Sequence, residues 1–276
     1  MVESRFSRIA LRVATGATLA FIYLPLLVIA LYAFNKARTQ TWPIDGFTTK
    51  WFSKALHNEG VRHALKTSVI AALGATGIAL LLGTLASLAV QRFKFFGRET
   101  ISFLVIIPIA LPGIVTGMAL NATFREVLSP FGLGLGLFTV IVGHATFCIV
   151  VVYNNTVARL RRSAGSLEEA SMDLGADLWQ TFRFVTFPQL RTALLAGGLL
   201  AFALSFDEII VTTFTAGSQE TLPIWIFANY SRPNQLPIVN VVGLSVIVLS
   251  IIPVYLANRL SQEPIGAPGA GAAARG

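Results

Sequence analysis

Long uncharged runs separated by short basic segments dominate the chain. Six of them reach the roughly 20 residues that an α-helix needs to cross a hydrocarbon core, where every backbone polar group must be satisfied within the segment. They run from about Val13 to Phe34, Thr67 to Val90, Ile101 to Phe124, Leu137 to Ala158, Thr192 to Phe214 and Pro237 to Ala257. The third holds Pro108, Pro112, Gly113 and Gly117, so it is expected to kink and to line the bundle interior, where neighbouring helices compensate the weakened backbone ladder. The pattern predicts an all-α polytopic membrane protein, with one transmembrane domain over residues 1–260. The tail, residues 261–276, is rich in Gly, Ala and Pro and is expected to be disordered.

Composition agrees with lipid as the main solvent. Apolar residues make up 54% and charged residues only 12%, well below the quarter expected of a soluble domain. The net charge of +8 comes from Lys and Arg placed between apolar runs, not from a stripe with interleaved aromatics, so nucleic acid is not the implied partner. Basic residues favour cytoplasmic loops. With the N-terminus inside, thirteen fall on the cytoplasmic side and eight on the other, which predicts cytoplasmic N- and C-termini. The first outer loop, about Asn35 to Lys66, dissents in charge; its Trp42, Trp51 and Phe52 are expected at the membrane surface. Arg5, Arg8 and Arg12 precede a run too long for a signal-peptide core, so an uncleaved first span is expected. The lone Cys148 excludes an intrachain disulfide or thiolate metal site and reads as a small buried apolar residue.

The segment between the fourth and fifth runs, residues 159–191, carries its own helix punctuation. Ser166 and Glu169 have the spacing of a capping box. Leu167, Ala170 and Leu174 then recur on one helical face, and Gly175 can end the helix in the left-handed conformation. Asp177 and Gln180 repeat the capping pattern for a second helix, which Pro188 is expected to interrupt just before the fifth run.

The string Glu169-Ala170-Ser171, Gly175, Val185-Thr186-Phe187-Pro188 resembles the EAA loop of bacterial binding-protein-dependent ABC permeases, with conservative departures at Ser171, Val185 and Phe187. The stretches Leu111 to Gly117, Val142 to Phe147 and Ser205 to Val211 are similar to the polyamine (spermidine/putrescine) branch, specifically its second permease subunit. The resemblance implies the six-helix ABC importer permease fold in the bacterial inner membrane. It also implies a coupling helix docked on a separate ATPase, with Ser166, Glu168, Glu169, Ala170, Asp173, Leu174 and Gly175 as the coupling residues. The implied partners are a homologous permease subunit, two ATPase subunits that bind ATP and Mg, and a periplasmic substrate-binding protein. The chain itself is expected to bind no cofactor and no metal.

Absent motifs agree with a non-enzymatic role. There is no phosphate loop, so ATP hydrolysis is expected elsewhere, and neither His-Glu-x-x-His nor a Gly-x-Ser-x-Gly elbow occurs. The competing classes are a secondary transporter or channel acting alone, and a membrane-embedded hydrolase or transferase, for which no convergent nucleophile and base are visible. Polar residues inside the runs mark a candidate translocation pathway: Asp207, Glu208 and His144. A carboxylate deep in a bilayer costs about 2.5–3.5 kcal/mol and normally faces a cavity or a partner. Asp207 lies roughly 22 Å along the fifth run from Thr192 at 1.5 Å per residue, past mid-bilayer. Two readings stay open for the pair: contact with a cationic solute, or an ion pair with Lys66, Arg125 or the sister subunit. For His144 they are hydrogen-bonded packing or lining of the pathway.

Overall fold

The computed structural model describes residues 5–163 and 165–261; apart from Ser261, the tail expected to be disordered lies outside them. The architecture is helical. In chain order the helices are α1 (Arg5–Ala33), α2 (Lys50–Leu56), α3 (Glu59–Arg92), α4 (Arg98–Ala110), α5 (Gly113–Leu128), α6 (Leu137–Arg162), α7 (Ser166–Asp173), α8 (Leu178–Thr181), α9 (Phe187–Phe206), α10 (Ile210–Thr215), α11 (Leu222–Tyr230) and α12 (Leu236–Ser261). Extended pairing among the described residues is limited to one bridge, Asn35 with Phe47.

All six apolar runs fall on helices, but not all as single spans. Among the described residues, four helical stretches are long and apolar enough to cross a membrane: α1, α3, α6 and Leu178–Phe206. The third run is not one kinked helix. It is two, α4 and its continuation Gly113–Phe131, which meet at 107°. Pro108 sits inside α4 without ending it. The break comes at Leu111, extended at φ −83°, ψ 145°, because the residue before a proline, here Pro112, is driven out of the α region. The fifth run also differs, ending at Phe206 and resuming as the short α10. The sixth run falls within α12, Leu236–Ser261.

Pro188 does not interrupt the helix that precedes the fifth run. A proline supplies no N–H and its ring collides with the carbonyl four residues back. Here the preceding residues, Phe182–Thr186, adopt a widened π turn, and Pro188 falls in the first turn of α9. The chain therefore stays helical from Leu178 to Phe206, an adjustment typical of π-bulges.

Two compact units emerge. One takes in the described residues up to Thr67 with Glu220–Ser250; the other takes in Ser68–Gln219 and residues from Ile251 on. In the first, the loop after α1 is organised by aromatic residues that were expected at the membrane surface. Trp51 is buried, with its indole Nε1 donating to the Asn35 carbonyl at 2.8 Å, and Phe52 packs tilted against Phe34 with centroids 5.0 Å apart. The loop's own carbonyl satisfies the indole N–H, as a buried tryptophan requires; Trp42 alone of the three is strongly exposed.

In the second unit α6 is the centre. Val140, His144, Cys148, Val152 and Thr156 on it are fully buried. α3 presents Ala71, Ala75, Ala79 and Gly83 four residues apart, with the alanines fully buried, and a methyl on Gly83 would stand 3.0 Å from the Ile149 carbonyl oxygen. α9 meets α6 through Gly197, where a methyl would lie 3.4 Å from the Val152 backbone. Small residues let helix backbones approach where lipid offers no hydrophobic drive between them.

Candidate functional site

The segment after α6 folds into helix, turn, helix, but its first cap differs from the expected one. Gly165, not Ser166, is the N-cap of α7, and its carbonyl accepts from the N–H groups of Glu168 at 3.0 Å and Glu169 at 3.1 Å. The helix starts one residue early, so Ser166 lies inside the first turn and the Ser166–Glu169 capping box does not form. At the other end Gly175 has φ +88°. Its N–H donates to the Met172 carbonyl at 2.9 Å, and that of Ala176 to Ser171 at 3.1 Å, which is the Schellman pattern. The second capping box is present: the Gln180 N–H donates to Asp177 Oδ1 at 2.7 Å, and the Asp177 N–H to Gln180 Oε1 at 2.9 Å.

Around these turns the apolar side chains face outward. Leu167, Leu174, Leu178 and Trp179 are 53%, 90%, 77% and 64% exposed, and Glu169, Ala170 and Asp173 are exposed beside them. Glu168 points the other way. Its Oε1 accepts from Arg92 Nη2 at 2.8 Å and from Thr186 Oγ1 at 2.9 Å, tying α7 to the end of α3 and to the π turn before α9. Ser171 Oγ and Thr181 Oγ1, 3.2 Å apart, join α7 to α8. The result is a short helix, rigidly seated at its base, with an apolar and acidic surface that no described residue covers.

The second cluster lies where the fifth run breaks. α9 ends at Phe206, Asp207 is its C-cap, and α10 starts at Ile210. Glu208 Oε1 accepts the Val211 N–H at 2.9 Å, satisfying one of the free N–H groups in the first turn of the new helix. Asp207 is exposed, and its carboxylate has no hydrogen bond or ion pair among the described residues. Arg125, one of the cations weighed as its partner, instead directs Nε to Asn121 Oδ1 at 2.9 Å.

His144 stitches across the break. Its Nδ1 lies 2.8 Å from Ser205 Oγ on α9, and Nε2 lies 2.8 Å from Thr212 Oγ1 on α10. Thr212 spends its proton on the Glu208 carbonyl at 2.7 Å, so Nε2 is the ring donor to Thr212 Oγ1. The imidazole is fully buried and bonded to both halves. The far end of α10 is held as well: Asn121 Nδ2 donates to the Phe214 carbonyl, and Thr139 Oγ1 to that of Thr215 at 2.6 Å. Gly113 and Gly117 of α5 face Ile210 and Phe214 of α10, and a methyl on Gly117 would fall 2.6 Å from the Phe214 ring.

The arrangement therefore brings His144, Asp207 and Glu208 to one break and separates their tasks. His144 and Glu208 hold the two sides of the break; Asp207 is left over. Sequence reasoning missed Ser205 and Thr212 as the imidazole's partners, although both are hydroxyls standing in an apolar run. Nothing in the sequence signals the Arg92–Glu168 contact, whose members are 76 residues apart.

Comparison with known proteins gives a consistent result. Residues 79–264 match the profile of the family described as binding-protein-dependent transport system inner membrane component. The putrescine transport system permease protein PotI of Escherichia coli K12 is 31% identical over 254 residues, 89% of each chain. The spermidine/putrescine transport system permease protein PotC of the same strain is 30% identical over 249 residues, 90% of this chain and 92% of the relative. In fold, the chain is similar to the solved structure of a bacterial ABC transporter involved in import of the acidic polysaccharide alginate, with TM-score 0.68 at 19% identity, covering 96% of this chain and 100% of that one. By the extent of these matches, the chain belongs to the family of binding-protein-dependent transport system inner membrane components.

Proposed function

We propose that this permease subunit moves a small cationic solute, of the putrescine or spermidine class, inward across the bacterial inner membrane. The observation that carries the reading is the Asp207 carboxylate, unpaired at a helix break within an apolar run. A carboxylate there is costly unless it meets positive charge, and an amine in transit supplies it. The carbonyl end of α9 adds partial negative charge at the same place. The names of the relatives point to the same solutes.

In this reading a periplasmic binding protein delivers the solute, a homologous permease completes the pathway, and two ATPase subunits bind ATP and Mg. The exposed face of α7, with Leu167, Glu169, Ala170, Asp173 and Leu174, docks on one of them, while Gly175 sets the turn behind it. Both termini and residues 159–191 face the cytoplasm. Reconstitution of the four-component complex tests the whole scheme: labelled putrescine should enter liposomes only with the binding protein outside the periplasmic face and ATP at the ATPase face. Uptake that needs neither would instead identify a transporter acting alone.

Orientation has its own test. In a Cys148→Ala background, Asp173→Cys is expected to resist an impermeant thiol reagent in intact cells and to react rapidly once the membrane is opened. Rapid labelling in intact cells would invert the topology.

A further inference from the structure

The coupling helix is joined to the spans both through the chain and across space. Through the chain, α7 continues by way of the Gly175 turn into α8 and α9. Across space, Glu168 reaches Arg92, the last residue of α3, at 2.8 Å. Both charges sit at the favourable helix end: the anion in the first turn of α7 and the cation in the last turn of α3, each complementing the local dipole. The contact is sheltered, the two side chains being 23% and 16% exposed. A methyl at Gly165 would stand only 3.7 Å from Arg92 Nη1, so the guanidinium lies against the turn that starts α7. Arg92 Nε is buried without a hydrogen-bond acceptor, which leaves Glu168 as the anion that compensates this guanidinium. Thr186 shares the same carboxylate oxygen at 2.9 Å and closes the link to the π turn.

We propose that Glu168 is a positioning residue for energy coupling, and that its pair with Arg92 makes α3 move with α7 as one body when the ATPase pulls on the docked helix. The inference rests on the docking role proposed for α7 and assigns Glu168 a different task from its exposed neighbours: it transmits movement inside the permease, and the ATPase does not touch it. An ion pair suits the task because its short range and two fixed helix ends tolerate little relative displacement, whereas loss of one partner strands a sheltered charge.

In the reconstituted complex, Glu168→Ala and Arg92→Ala are each expected to leave ATP hydrolysis within about twofold of wild type while putrescine moved per ATP falls about tenfold, and the double variant should be no worse than either single one. Glu168→Gln, which keeps the acceptor oxygen for Arg92 and Thr186, should recover part of the loss. Equal coupling in all variants, or a double variant showing the product of the single losses, would overturn the role. So would failure of Glu168→Gln to assemble, since the pair would then be a support of the fold. A readout independent of solute separates this from the substrate reading: spin labels at Met172→Cys and Leu85→Cys, in a Cys148→Ala background, should hold one distance with and without ATP, and lose it in Glu168→Ala. A wild-type complex that takes up no putrescine would sink the solute assignment alone, and a distance that shifts equally in wild type would sink the rigid pair.

Discussion

Gly217→Val is expected to be among the most damaging single substitutions in the chain, lowering the yield of folded permease and its thermal stability in detergent. Gly217 follows α10 with φ +59°, and a Cβ there would fall 2.5 Å from the Leu135 carbonyl oxygen and 2.9 Å from its carbon. The left-handed backbone alone costs a β-carbon residue about 1–2 kcal/mol. The collision is with backbone, which cannot rotate away, and forced overpacking adds about 1–3 kcal/mol. Relief requires the end of α10 to move, and with it the bonds from Thr139 and Asn121 that hold the carbonyls of Thr215 and Phe214. Gly175→Ala is the internal control. Its φ of +88° imposes the same backbone strain, but nothing lies within 4 Å of the added methyl. Thermal unfolding of the two purified variants should therefore show a small shift for Gly175→Ala and a several-fold larger one for Gly217→Val. Equal shifts would mean that the approach to Leu135 does not constrain the fold.

What could be read from sequence follows from which forces are local. Membrane runs are long and one-sided in composition, so α1, α3 and α6 were legible, although α1 and α3 each begin eight residues before the run they contain. The Gly175 turn and the Asp177–Gln180 box were legible because each is closed by residues at most five apart. Ser166 failed on the same scale, since Gly165 takes the N-cap position and the register moves by one. Gly113 and Gly117 were noticed for their weakness as helix formers. Their use is different: they make room for Ile210 and Phe214, a partnership nearly a hundred residues distant that composition cannot reveal. Trp51 likewise is expected at the membrane surface from its chemistry alone, and composition does not reveal that its N–H finds a carbonyl sixteen residues earlier in the same loop. The candidate pathway shows the same division. Three polar residues in apolar surroundings were visible, but which were tied down depended on the partners that folding supplied to His144 and Glu208.

That division makes the last expectation asymmetric. Asp207→Asn should reduce kcat/KM for putrescine uptake by roughly tenfold to a hundredfold, the worth of about 1.5–3 kcal/mol for a hydrogen bond to a charged group, with complex assembly intact. Assembly is spared because Asp207 gives its carboxylate to no described residue, and asparagine leaves the backbone of the α9 C-cap free to keep its bond to the Ala203 carbonyl. Glu208→Gln should do less to uptake, since one of its oxygens already serves the Val211 N–H and the amide oxygen of glutamine can take over that bond. Glu208→Ala removes that acceptor, which costs about 1 kcal/mol, and should lower stability before it lowers solute affinity. Uptake kinetics and detergent melting of the three variants separate these effects. Unchanged uptake in Asp207→Asn would remove the carboxylate from the pathway, and loss of assembly in that variant would transfer it to an interface with the sister subunit, where a neutral asparagine cannot replace an ion pair.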